Sequence, residues 1–220
     1  MSAIVYIVSI LIIGYYIFIP HRSVWYSLCW KTLSSLSFLL VATVVMGQCS
    51  QEVYCLWMMI GLILGAVGDV ALALADCSPE RRDTFFLIGL GSFLAGHISY
   101  AYALFAMELP YALAAGAISV LAGIIIIHTL EKTGVQFEKM RLAAMMYAMV
   151  ILFMELCAMQ HLSLSGYGIL LNIGTLCFVL SDLILAFILF KNQNTKSMVR
   201  WNLSLYYVAQ LCILSTMWLY

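Results

Sequence analysis

Charge is what this sequence has least of. Only 9% of its 220 residues are charged, and ten Lys and Arg balance ten Asp and Glu. Soluble domains carry about 25% charged residues, so a water-soluble globule is excluded. The absence of net charge and of any basic run argues against nucleic acid as a partner. Three prolines and few polar tracts exclude a disordered or low-complexity chain. No CxxC pair or Cys/His cluster occurs, and there is no HExxH, P-loop, GxGxxG or GxSxG elbow. His21, His97, His128 and His161 fall at different depths along their segments, so three cannot meet at one zinc. Neither a metal nor a cofactor is expected.

What the chain has is apolar surface: 65% of its residues are hydrophobic, with a mean hydropathy of +1.06. No core of this size hides so much, so the solvent for most of the chain is lipid. The apolar runs are continuous rather than alternating, which selects helices over a barrel. At about 20 residues per span, the pattern predicts an all-α polytopic bundle, one integral membrane domain over residues 1–220. Its eight spans fall near 2–19, 24–46, 54–75, 84–106, 109–130, 140–160, 166–190 and 200–220. Ala3 to Ile19 lacks a basic leader and a small-residue cleavage site, so it reads as a retained span rather than a signal peptide.

The breaks between spans divide sharply by charge. Arg22, Arg81, Arg82, Lys132, Lys139, Arg141, Lys191, Lys196 and Arg200 lie at the first, third, fifth and seventh breaks, and the other three have no Lys or Arg. By the positive-inside rule the odd-numbered loops face the cytoplasm and both termini face away. This describes a multi-pass membrane protein, in the cell membrane if bacterial. Cys49 and Cys55 flank the second break and are spaced to pair in an oxidising compartment, although unpaired thiols are the favoured reading.

Lys31, Asp69, Glu155 and Asp182 lie inside the spans. Each charge at a helix centre costs about 2.5–3.5 kcal/mol on insertion scales, so these groups should face the interior and pair. At about 1.5 Å per residue, Lys31, Asp69, Asp182, Tyr147 and Tyr207 fall about 9–12 Å below the cytoplasmic helix ends, with Gln210 near about 15 Å. Five helices thus supply polar groups to one layer. Helical spacing supports inward faces: Gly61, Gly65 and Asp69; Phe86, Gly89, Phe93, His97 and Tyr100; Tyr147, Ile151, Met154 and Ala158; Gly174, Phe178, Ser181, Asp182 and Ala186. The bland readings are packing for the glycines, structure for His97 and Glu155, interfacial anchoring for Tyr206 and Tyr207, and snorkelling for Lys31.

Two carboxylates close together do not both ionise easily, the pattern of an acid/base dyad, and a lysine nearby favours one anion. Such a site can protonate a substrate and activate water. Gly68-Asp69-Val70-Ala71-Leu72-Ala73-Leu74 is echoed by Ser181-Asp182-Leu183-Ile184-Leu185-Ala186-Phe187. A four-plus-four duplication explains the echo, and so does coincidence in an Ala/Leu-rich chain. The Gly-x-Gly-Asp of intramembrane aspartyl proteases is only approached, because Ala66 occupies the first glycine position and Ser181, not tyrosine, precedes Asp182.

Six motifs in order resemble the YhhN-like family of lysoplasmalogenases. They are Lys31-Thr32-Leu33; Gly61-x3-Gly65-x2-Gly68-Asp69; Phe86-x2-Gly89-x3-Phe93-x3-His97-x2-Tyr100; Tyr147-x3-Ile151-x2-Met154-x3-Ala158; Gly174-x3-Phe178-x2-Ser181-Asp182-x3-Ala186; and Tyr206-Tyr207-x2-Gln210. Glu155 and Cys157 depart from the family pattern. The resemblance implies hydrolysis of the vinyl-ether bond of a lysoplasmalogen, a single-chain phospholipid, to a fatty aldehyde and a glycerophospho-headgroup. It implies Asp69 and Asp182 as catalytic residues, with Lys31, His97, Tyr100, Tyr147, Ser181, Tyr207 and Gln210 as substrate contacts. The rival readings are a proton-coupled transporter, an intramembrane aspartyl-type protease and a non-catalytic lipid-binding protein.

Overall fold

The structure, a computed structural model, describes residues 2–19, 23–107, 109–162, 165–191 and 193–219. Pro20, His21, Arg22 and Glu108, which figure in the break assignments, lie outside the described residues. Eight helices follow in chain order: α1 (Ser2–Phe18), α2 (Val24–Met46), α3 (Glu52–Cys77), α4 (Arg82–Phe105), α5 (Ala112–Lys132), α6 (Arg141–Gln160), α7 (Gly166–Phe190) and α8 (Lys196–Leu219). Short 3-10 turns precede α4 and α6, and no strand occurs among the described residues. Each expected span is a helix, displaced by a few residues at most.

Local chemistry sets several of the starts. Ser23 caps α2 by accepting from the Tyr26 amide, Ser165 caps α7 by accepting from the Gly168 amide, and Thr195 accepts from the Met198 amide at the start of α8. Past the end of α5, Gly134 takes a φ of 94°, a left-handed turn that glycine adopts without a Cβ clash.

Among the described residues, six helical segments are long and apolar enough to cross a membrane: Val24–Met46, Glu52–Cys77, Pro79–Phe105, Ala112–Lys132, Glu138–Gln160 and Gly166–Phe190. Two helices fall short by that measure. α1 has 17 residues, and α8 carries Lys196, Arg200, Asn202 and Gln210. The helices turn large apolar side chains outward, among them Leu36, Leu40, Val67, Leu121 and Leu176. A hydrocarbon solvent accepts such a surface at no cost, whereas water does not.

The chain divides into two compact units. The first comprises residues 1–100 with 214–220. In it α1 packs on α2 and α2 on α3. α3 and α4 approach closely at glycines: Gly61 lies against the Tyr100 ring, and a Cβ on Gly68 would meet the Phe93 ring at 2.8 Å. The C-terminal segment is knitted in by Tyr54 with Thr216, at 2.6 Å, and by Tyr6 with Ser215. Phe38, Met58, Leu62 and Tyr100 form its fully buried centre.

The second unit comprises residues 101–213. Here α5 packs on α6 and α6 on α7. Gly174 brings α7 against α8, its place for a Cβ lying 3.0 Å from Cys212 Cβ and 3.3 Å from the Ala209 carbonyl oxygen. Met154, Leu171, Phe178 and Tyr207 are buried. Ile127, Leu130, Val135 and Phe137 cluster with Phe190, folding the α5–α6 loop onto the end of α7.

Candidate functional site

In the first unit the polar focus is built by two helices. Lys31 and Ser35 stand one turn apart on α2, so they share a face. Both reach Asp69 on α3: Lys31 Nζ lies 3.4 Å from Oδ1, and Ser35 Oγ donates to Oδ2 at 2.7 Å. The Lys31 and Asp69 side chains are 12% and 3% exposed, so this ion pair is shielded from water rather than lying at a solvated surface. A carboxylate placed here satisfies both oxygens from α2 alone. Lys31 therefore points to an acid rather than snorkelling away.

In the second unit the corresponding carboxyl is Asp182 on α7. Tyr147 of α6 donates its phenol to Oδ2 at 2.7 Å. Within each unit, then, an intramembrane aspartate meets a donor from the neighbouring helix. Asp69 lies eight residues before Cys77, the end of α3, and Asp182 lies eight before Phe190, the end of α7. Each aspartate lies on its unit's third helix and takes a donor from the helix before it.

The other expected residues divide by what they touch. His97 and Tyr100 are both buried on α4, with ring centroids 6.3 Å apart in an edge-on arrangement, and Tyr100 fills the slot left open by Gly61. Ser181 is engaged with α8: its hydroxyl donates to the Asn202 carbonyl, and the Asn202 side-chain amide donates to both the Ser181 carbonyl and hydroxyl. Gln210 donates to the Tyr206 hydroxyl at 2.9 Å, and Tyr206 stacks edge-on against Tyr207 and Phe178. Tyr207 and Gln210 are each 1% exposed, which sets aside the reading of Tyr207 as an interfacial anchor.

Two residues that shape these groups are not singled out by the sequence pattern. Ser35 carries a usable signal: it stands four residues after Lys31, in the serine-rich turn Ser34-Ser35-Leu36-Ser37. Asn202 carries only its polarity within an apolar helix. One expectation is corrected: Cys49 and Cys55 form a disulfide, because the turn before α3 brings the two cysteines within bonding reach. Glu155 leaves Oε2 buried without a hydrogen-bond partner among the described residues. No group of three or more metal-ligating side chains occurs among the described residues.

His161, beyond the end of α6, has its imidazole pKa lowered, chiefly because burial disfavours the cation, while a hydrogen bond to the Leu104 backbone opposes the shift.

No curated protein matches the chain. No solved structure matches it either. A family model described as the YhhN family matches residues 26–217, from the first turn of α2 to the last of α8, and the chain belongs to that family.

Proposed function

We propose that the protein is a lysoplasmalogenase-like hydrolase, cleaving the vinyl-ether bond of a single-chain ether phospholipid inside the membrane. The observation that carries this reading is the buried Lys31–Asp69–Ser35 cluster on two lipid-embedded helices. An ion pair there costs desolvation and is weak evidence of stability alone, whereas intramembrane acids mark functional sites by default. Family membership supports the reaction class.

Vinyl ethers hydrolyse by proton delivery to the outer vinyl carbon. The resulting oxocarbenium ion is stabilised by a carboxylate and captured by water, and the hemiacetal collapses to an aldehyde and the glycerol hydroxyl. Asp69, with an ammonium beside it, suits the carboxylate role. Asp182, held by a phenol, suits the acid. His97, Tyr100, Tyr207 and Gln210, all buried, are assigned in this reading to the headgroup and glycerol. In this reading α1 and α8 complete eight crossings and the whole chain acts as one membrane domain.

The test is aldehyde release from lysoplasmalogen by the purified protein in detergent. Asp69→Asn and Asp182→Asn should each lower the rate by about 100-fold or more, the usual worth of a positioned acid or base. Full activity in both folded variants would remove the dyad. A folded wild type that releases no aldehyde would favour the transporter, protease or lipid-binding readings instead.

A further inference from the structure

The cysteines of α2 and α3 are sorted by end. Cys49, just past the end of α2, and Cys55, in the first turn of α3, are joined as a disulfide. At the opposite end of the same two helices, Cys29 near the start of α2 and Cys77 at the end of α3 are free thiols. Both helices are long and apolar enough to cross a membrane, so the two ends lie on opposite sides of it. The end with the disulfide is the one whose break, Gly47–Gln51, has no Lys or Arg, while the break after Cys77 carries Arg81 and Arg82. Basic residues mark the cytoplasmic side, and disulfides persist only outside reducing compartments. These are unrelated rules, one about insertion and one about redox chemistry, and they choose the same side.

A third observation fixes the termini. Tyr54, adjacent to Cys55, is hydrogen-bonded to Thr216, and Tyr6 is bonded to Ser215. The beginning of α1 and the end of α8 therefore sit at the disulfide end of the first unit.

We infer that Cys49–Cys55 is a permanent clasp formed in an oxidising compartment, and that the α2–α3 turn and both chain termini face that compartment while the Arg81–Arg82 turn faces the reducing one. Formation is thiol–disulfide exchange. One cysteine thiolate attacks the disulfide of a thiol oxidase, giving a mixed disulfide, and the second displaces the oxidase. The two cysteines lose two electrons and two protons in all, and the oxidase is left as a dithiol.

The test uses the full chain in a bacterial host with an oxidising periplasm. Cells are quenched with acid, all free thiols are blocked in neutral denaturing buffer, and the protein is then reduced and treated with a maleimide-polyethylene glycol. Two adducts are expected on wild type and none on Cys49→Ser/Cys55→Ser. In a host lacking the periplasmic oxidase the wild type should also gain none. For sidedness, the exposed residues Gln51 and Glu80 are changed separately, as Gln51→Cys and Glu80→Cys, in the Cys49→Ser/Cys55→Ser background. A membrane-impermeant maleimide applied to spheroplasts should label Gln51→Cys above that background and Glu80→Cys only after permeabilisation. No adducts on wild type, or the reverse labelling order, overturns the inference. The wild-type adduct count needs no substituted protein, so poor folding of a variant does not affect it.

Discussion

Asp69 and Asp182 occupy the same place in their units, eight residues from the end of the third helix, with the donor supplied by the preceding helix. Their surroundings differ. Asp69 is almost wholly buried and meets an ammonium and a hydroxyl, whereas Asp182 is half-buried and meets a phenol. A carboxylate sealed in apolar surroundings is costly to bury without a counter-charge, and Lys31 supplies one to Asp69. The same register on two helices therefore holds two carboxyl groups with different partners.

The strongest way to break that contrast is to remove the ammonium. Lys31→Met leaves the Asp69 carboxylate without its counter-charge, and loss of one partner of a buried pair costs about 3–5 kcal/mol. The thermal midpoint in detergent should fall sharply, and a second change, Asp69→Leu, should recover most of the loss. A Lys31→Met variant as stable as wild type would mean that Asp69 does not depend on its lysine.

Next in size is the contrast between a helix glycine used for close packing and one that is not. Gly61→Ala would drive a methyl group into the Tyr100 ring of the first unit, and such overpacking costs about 1–3 kcal/mol. Gly116→Ala, on α5 of the second unit, meets nothing within 4 Å and should gain up to about 1 kcal/mol from helix propensity. Melting both variants side by side separates glycine used for close approach from glycine that is merely tolerated.

Tyr147→Phe removes the phenol donor from Asp182 without removing a charge. The expected loss is about 1 kcal/mol, well below that at Lys31. Equal losses in the two units would erase the distinction drawn between them.

The smallest effect concerns pH and belongs to the second unit. Because burial lowers the pKa of His161, the folded state disfavours its cation. The associated stability is present above the ordinary histidine value of about 6.5 and is lost as pH falls through the lowered one. His161→Gln should flatten the decline in melting temperature on the acid side of about pH 6.5.

Much of the architecture is legible in the sequence because apolar runs and their breaks are properties of consecutive residues. All eight helices lie where those runs lie. The Gly61, Gly65, Asp69 stripe and the Ile151, Met154, Ala158 stripe are buried as their spacing requires. Lys31 and Asp69 are legible as expensive charges at matching depth, but the spacing along one helix says nothing of which neighbour it meets. Hence the pattern does not single out Ser35, although it donates directly to Asp69, and it leaves Ser181 open to substrate when Asn202 of α8 already holds it. The Cys49–Cys55 bond is equally undecidable from spacing alone, since pairing depends on how the turn brings the two sulfurs together.

The order of residues by itself determined that this chain is helical, lipid-solvated and furnished with acids it cannot leave unpaired, because hydropathy and the cost of charge in hydrocarbon act on every residue wherever it packs. Tertiary structure decided the partners: an ammonium and a hydroxyl for Asp69, a phenol for Asp182, and a sulfur for Cys49. Hydrogen bonds, ion pairs and disulfides act over a few ångströms, and only the packed helices bring such groups that close.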